Sequence, residues 1–215
     1  MKTWTKICGI KTFDALDAAI DGGADYVGLV FFEKSPRNVT IDQAAALAYH
    51  AGGTRIVALV VDADDALLKA ISSIPLLDFL QLHGIESPER VMQIRELTDY
   101  NCKIWKAIPV STAADAARAF DYADIADRIL FDAKPPKGAV LPGGNGHAFD
   151  WSALDAINGK FKFILSGGLN PENVAEAIRA TNPWGVDASS GVESSPGVKD
   201  PAMIRAFLRA VNGSR

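Results

Sequence analysis

Histidine and cysteine are scarce in this chain. There are three histidines, His50, His83 and His147, and two cysteines, Cys8 and Cys102. No pair of histidines and no histidine–carboxylate cluster has metal-ligand spacing, so no metal is expected. A disulfide between the two cysteines is possible in principle. Both sit in strand-like runs, however, and Met1-Lys2-Thr3-Trp4-Thr5 has no apolar core of the kind that leads a chain out of the cell. Reduced thiols in the cytoplasm are the expectation. No apolar stretch approaches the length that spans a bilayer. Basic residues number 22 against 26 acidic ones, for a net charge of -4. Nucleic acid or a membrane surface is therefore not an expected partner, because such binding needs clustered Lys and Arg. An anionic ligand would be caught locally, by backbone amides or single basic side chains.

With 48% apolar and 22% charged residues, the chain has an ordinary globular composition. Its length suits one domain over residues 1–215. Two periods alternate along it. Strand-like runs fall at Thr5–Gly9, Tyr26–Phe32, Arg55–Val61, Phe79–His83, Lys103–Ile108, Arg128–Asp132, Phe161–Ser166 and Gly185–Ser189. Helical patterns lie between them. Thr12 and Asp14 open the first, which Gly22-Gly23 ends, and Thr40-Ile41-Asp42-Gln43 opens the second with a capping box. Asp64–Ser73, Ser87–Thr98, Ala113–Ala123, Trp151–Ile157, Pro171–Ala180 and Pro201–Val211 supply the rest, with Pro171 and Pro201 suited to a first helical turn. Strand–helix alternation with short links predicts a parallel sheet. About eight similar units with no evident edge strand predict a single (β/α)8 TIM barrel rather than an open doubly wound sheet.

Two glycine- and serine-rich turns follow the seventh and eighth strands, at Ser166-Gly167-Gly168-Leu169-Asn170 and Ser189-Ser190-Gly191-Val192-Glu193. Gly-Gly alone reads as a tight turn. Two such turns at strands 7 and 8 of one barrel point to a phosphate site, with Gly167, Gly168, Ser189, Ser190 and Gly191 as its donors. Lys6 and Cys8, two apart on a strand, share a face. Cys8 is either a small core residue or a thiol that the ammonium shifts toward thiolate. Lys6, if inward, needs a partner, for which Asp132 and Asp187 are candidates. Asp132 ends an apolar strand, where partial burial would suit it to act as an acid and where it could equally cap a turn. Arg37, after Ser35-Pro36, could grip a carboxylate or phosphate or lie on the surface. His83 reads more simply as a hydrogen-bonded structural histidine than as a proton carrier. The long Pro/Gly-rich stretch from Lys134 to Gly146 follows a strand and has the size of a lid.

Lys6-Ile7-Cys8-Gly9-Ile10, Ser35-Pro36-Arg37, Gln81-Leu82-His83-Gly84, Phe131-Asp132, Gly143-Gly144-Asn145-Gly146, Leu165-Ser166-Gly167-Gly168-Leu169 and Asp187-Ala188-Ser189-Ser190-Gly191-Val192-Glu193 come in this order. Together they resemble the phosphoribosylanthranilate isomerase family of tryptophan biosynthesis over essentially the whole chain. The resemblance implies Cys8 as general base, Asp132 as general acid, and Arg37 as the binder of the anthranilate carboxylate. Gly144 and Asp187 are implied near the substrate. It implies an Amadori rearrangement of a small phosphorylated substrate without a cofactor, by a monomer or homodimer. Asn145 and His147 depart from the residues common in relatives, and Pro135-Pro136-Lys137 could stiffen the lid. The competing readings are sibling barrels with the same phosphate pocket, for one of which Lys106 could imitate a catalytic lysine, and a non-catalytic phosphate-binding subunit.

Overall fold

The computed structural model describes residues 2–98, 102–136, 138–139, 141–144, 146, 148–157 and 159–214. Lys137, Asn145 and His147 lie outside the described residues. The strands are β1 (Trp4–Cys8), β2 (Tyr26–Phe31), β3 (Arg55–Val60), β4 (Leu77–Leu82), β5 (Lys103–Val110), β6 (Arg128–Ala133), β7 (Phe163–Leu165) and β8 (Gly185–Ala188). All pair in parallel with their sequence neighbours, and β8 returns to β1 to close the barrel. The helices are α1 (Phe13–Asp21), α2 (Ile41–His50), α3 (Asp65–Ser72), α4 (Pro88–Leu97), α5 (Ala113–Ala117), α6 (Val174–Thr181) and α7 (Pro201–Gly213). Among the described residues, no helix is long and apolar enough to cross a membrane.

Local chemistry explains the helix starts. Thr12, Thr40, Asp64, Ser87 and Asp200 each cap a helix by accepting a backbone N–H, and Thr40 with Gln43 forms the expected capping box. The two-residue strand period then sorts the buried side chains. Ile7, Leu29, Val60, Leu82 and Phe131 pack outward under the helices. Tyr26, Val57, Phe79, Trp105, Leu130 and Ile164 form a second cluster, against which Trp4 and Trp184 pack. Cys8, Val30 and Leu59 form a third, toward the carboxyl ends of the strands.

The structure departs from the sequence pattern in five places. Trp151–Ile157 is a 3-10 helix, and the Ala113–Ala123 stretch divides into α5 and a 3-10 segment, Arg118–Tyr122. β7 is only Phe163–Leu165, so Phe161 precedes it. Pro171 lies in a turn before α6, where the Asn170 side chain accepts from the Glu172 and Asn173 amides. A hairpin absent from the sequence reading, β9 (Glu193–Ser195) with β10 (Val198–Lys199), is inserted between β8 and α7.

Lys6 and Asp187 are register partners across the β1–β8 seam. Lys6 Nζ donates to both Asp187 carboxylate oxygens, at 3.0 and 3.1 Å, and both residues are buried. Of the two partners the sequence allowed for Lys6, the structure selects Asp187. Removing one member of a buried pair strands the other's charge. Lys6→Met is expected to lower unfolding stability by about 3–5 kcal/mol. Adding Asp187→Asn should restore part of that loss. Urea denaturation with an unchanged m-value checks it; equal stability of Lys6→Met and the parent would refute the structural role.

Candidate active site

Barrel strands deliver their last inward residues to one mouth, at the carboxyl ends. Cys8, Asp187 and Ser189 come from β1, β8 and the turn after it. His83, Asp132 and Ser166 follow from the ends of β4, β6 and β7. All six line one pocket, together with Arg37 from the loop after β2 and Gly143 and Gly144 from the loop after β6. Val30, Phe32, Leu59 and Val61 give the pocket an apolar wall. Its space, open solvent at the mouth included, is about 490 Å³.

Cys8 stands directly above the Lys6–Asp187 pair. Gly28 on β2 makes this possible. A Cβ there would come within 2.8 Å of the Cys8 sulfur and 3.1 Å of the Lys6 side chain. Lys6 favours the thiolate, as expected, but burial outweighs it. Burial pushes the Cys8 thiol above its ordinary pKa; Lys6 pulls it down, and Asp187 pushes it up again. Asp187 thus offsets the cation that would have activated the sulfur. Burial also opposes the charge on Lys6, but Asp187 and Cys8 outweigh it and hold the ammonium above its usual value. Burial raises the Asp187 carboxyl against the pull of Lys6. Asp187 is therefore both a wall of the pocket and the counter-ion of Lys6.

Asp132 is buried at the end of β6. Its Oδ1 accepts the Ala133 amide at 3.0 Å, and its Oδ2 lies 3.0 Å from His83 Nε2. His83 Nδ1 in turn lies 2.9 Å from the Gln81 side-chain amide. The ring tautomer follows from which end of that amide faces Nδ1. His83 is hydrogen-bonded, as the sequence suggested, but its partner is the candidate acid. Gly143 and Gly144 lie against these groups. A Cβ on Gly143 would fall 2.4 Å from Asp132 Oδ2, and one on Gly144 2.8 Å from Arg37 Nη1. Any larger residue at either position would force the loop or these side-chain ends to shift.

Arg37 is buried, which removes the surface reading. Its Nε and Nη2 donate to the two Glu193 oxygens, both at 2.8 Å, and Nη2 also donates to the Gly144 carbonyl at 3.3 Å. Lys106, the residue that could have imitated a catalytic lysine, is not in the pocket. Its ammonium donates to Glu86 Oε2, Gly84 O and Ala107 O, each at 2.9 Å.

The two glycine-rich turns after β7 and β8 come together. Gly191 abuts the turn after β7 so closely that a Cβ would lie 1.9 Å from the Leu169 carbonyl. Gly167 and Gly168 have φ of +87° and +64°. Among the described residues, the backbone N–H groups of Gly167, Gly168, Ser190 and Gly191 donate to no acceptor. Ser189 Oγ bonds the Cys8 carbonyl, tying this turn to β1. Cys8 and Cys102 are both free and buried. No cluster of three or more His, Cys, Asp or Glu suited to a metal occurs among the described residues.

Sequence reasoning did not assign roles to Gly28, Glu193 or Lys199. Glu193 ended a quoted motif, yet only the hairpin geometry shows that it meets Arg37. The signal available for Lys199 was its place just before Asp200-Pro201, the start of α7.

The family model for N-(5'-phosphoribosyl)anthranilate (PRA) isomerase matches residues 5–210. The N-(5'-phosphoribosyl)anthranilate isomerase of Paramagnetospirillum magneticum is 55% identical over 216 residues, covering 100% of both chains. Monomers of the dimeric phosphoribosylanthranilate isomerase of Thermotoga maritima superpose with a TM-score of 0.84 at 35% identity, over 98% of this chain and 99% of that one. A phosphoribosyl anthranilate isomerase solved with reduced 1-(o-carboxyphenylamino)-1-deoxyribulose 5-phosphate gives 0.84 at 33% identity, again over 98% and 99%. A closed barrel, a mouth that gathers a thiol, a carboxyl and a guanidinium from separate elements, and likeness over the full length agree: the chain belongs to the N-(5'-phosphoribosyl)anthranilate isomerase family.

Proposed function

We propose that this chain converts N-(5-phosphoribosyl)anthranilate to 1-(2-carboxyphenylamino)-1-deoxyribulose 5-phosphate, an Amadori rearrangement in tryptophan biosynthesis. The observation that carries the reading is the placement of Cys8 and Asp132 in one pocket with Arg37, beside the two glycine-rich turns. In this reading the unpaired amides of Gly167, Gly168, Ser190 and Gly191 and the Ser189 hydroxyl hold the phosphate. Arg37 binds the anthranilate carboxylate. The apolar wall of Val30, Phe32, Leu59 and Val61 receives the aromatic ring, Gly144 closes over it, and Asp187 borders the ribose. No cofactor or metal enters these steps. The enzyme acts in the cytoplasm as a monomer or homodimer, with no nucleic-acid or membrane partner.

The chemistry needs one acid and one base. Asp132 gives a proton to the ribose ring oxygen, and the C1–O bond breaks to leave a cationic Schiff base. That cation makes the C2 proton acidic and supplies the positive charge that Asp187 withholds from Cys8. The Cys8 thiolate, whose proton has left to solvent, takes the C2 proton, giving an enolamine and the thiol. A proton then moves from the C2 hydroxyl to C1, and the ketone forms. The proton held by Cys8 returns to Asp132 through solvent between turnovers. His83 orients Asp132 through the Nε2–Oδ2 hydrogen bond.

Two outcomes are expected. Cys8→Ala and Asp132→Asn should each lower kcat by about 10²- to 10⁴-fold while remaining folded. Loss of substrate fluorescence measures this, and full activity in folded Cys8→Ala would remove the thiol from the reaction. The pH dependence has a definite sign. The base works deprotonated, and burial raises the Cys8 pKa. The rate constant kcat/KM should therefore climb with pH through a midpoint above the ordinary thiol value. This limb should vanish in Cys8→Asp. A midpoint below the ordinary thiol value would contradict the burial argument.

A further inference from the structure

The β9–β10 hairpin brings together two charged side chains that the reaction as described does not use. Lys199 and Glu193 are register partners across it. Their side chains are 2% and 3% exposed. Glu193 Oε1 accepts from Arg37 Nε at 2.8 Å and from Lys199 Nζ at 2.5 Å. Its Oε2 accepts from Arg37 Nη2 at 2.8 Å and from the Gly197 amide at 3.1 Å. Lys199 Nζ also donates to the Ser189 carbonyl at 3.0 Å. The carboxylate is saturated and the hairpin is locked to the loop that carries Arg37.

This arrangement constrains the guanidinium twice. With Nε and Nη2 occupied, Nη1 is its one nitrogen without an acceptor among the described residues. Arg37 also loses most of its field. A guanidinium paired bidentate with a glutamate is a neutral unit beyond a few ångströms and attracts a distant carboxylate weakly. Lys199 changes the sum: two cations and one anion leave a single positive charge. Burial pulls the Lys199 ammonium below its usual pKa while Glu193 opposes that pull, so each partner sustains the other's charge.

We propose that Glu193 and Lys199 determine specificity for the substrate's aromatic carboxylate: Glu193 fixes the one orientation in which Arg37 offers Nη1 to it, and Lys199 restores the positive charge that Glu193 neutralises. Both are positioning residues that act through Arg37. The inference rests on the reading of Arg37 as the carboxylate binder.

Two ligands separate the possibilities. One is reduced 1-(o-carboxyphenylamino)-1-deoxyribulose 5-phosphate; the other is the same compound without its carboxyl group. Calorimetric affinities are compared in the parent, Arg37→Met, Lys199→Met, Lys199→Gln, Lys199→Arg and Glu193→Gln. The glutamine at 199 keeps a hydrogen-bond donor without charge, so it isolates the charge if the methionine variant folds poorly. Lys199→Gln is expected to weaken the carboxylated ligand by about 10- to 100-fold. The carboxyl-free ligand should change by less than about twofold, well inside the tenfold step of the affinity scale. Glu193→Gln should follow the same pattern, Lys199→Arg should recover most of the affinity, and KM should move more than kcat. Equal weakening of both ligands would mean a structural hairpin and overturn the proposal. So would unchanged affinities in Lys199→Gln when Arg37→Met abolishes the preference. A parent protein that binds both ligands equally would instead overturn the Arg37 reading, and this inference with it.

Discussion

Closing a barrel brings its first and last strands together, and here the contact at the seam is ionic. Lys6 and Asp187 face each other across β1 and β8 inside the barrel. The pair costs desolvation on both sides, and its mutual attraction and paired geometry offset that cost. Its position decides much above it. Gly28 is compelled by the room that Lys6 and Cys8 require. Burial leaves the resting Cys8 thiol hard to ionise, and the sulfur sits over a neutral pair instead of over a bare cation. A nucleophilic thiolate would be exposed to oxidation and alkylation between turnovers. A thiol that stays largely protonated at rest limits that exposure.

The barrel also divides its interior by chemistry. Toward the amino ends of the strands, Trp4, Tyr26, Phe79, Trp105 and Trp184 stack or meet edge to face. Arg55 and Arg128 lie over the faces of Trp4 and Trp184. This end holds the fold together by packing. The other end gathers Cys8, His83, Asp132, Ser166 and Ser189, one from each of five strand ends. Each is held through its own strand's ladder, so polar chemistry is positioned by apolar packing beneath it.

Much of this was legible in the sequence, because the two periods that define strands and helices depend on burial alone. All eight strands fell near their observed places, and Thr40–Gln43 announced its capping box. What escaped has a common cause. The 3-10 form of Trp151–Ile157 and the short β7 depend on how the chain meets its neighbours, which local pattern does not encode. Lys106 could imitate a mouth residue because strand period does not say which face is inward; its bonds to Glu86 and Gly84 answer that. The Cys8–Lys6 reading was right about proximity and about the pull of the ammonium, but the depth of burial that outweighs it is not written in local sequence. Glu193 and Lys199 gain meaning only once a short hairpin lays them beside Arg37.

That separation along the chain also bears on how the molecule comes into being. The Lys6–Asp187 and Cys8–Ser189 contacts each join residues 181 apart, and Arg37–Glu193 joins residues 156 apart. Contacts of such range form late, since the loop between their ends must first be ordered. During synthesis from the amino end, β1 leaves the ribosome with its lysine and cysteine long before their partners exist. The nascent chain thus carries the thiol with neither the ion pair beneath it nor the arginine clamp beside it. Assembly of the mouth and completion of the barrel are one event, and a chain shortened before β8 would lose both together.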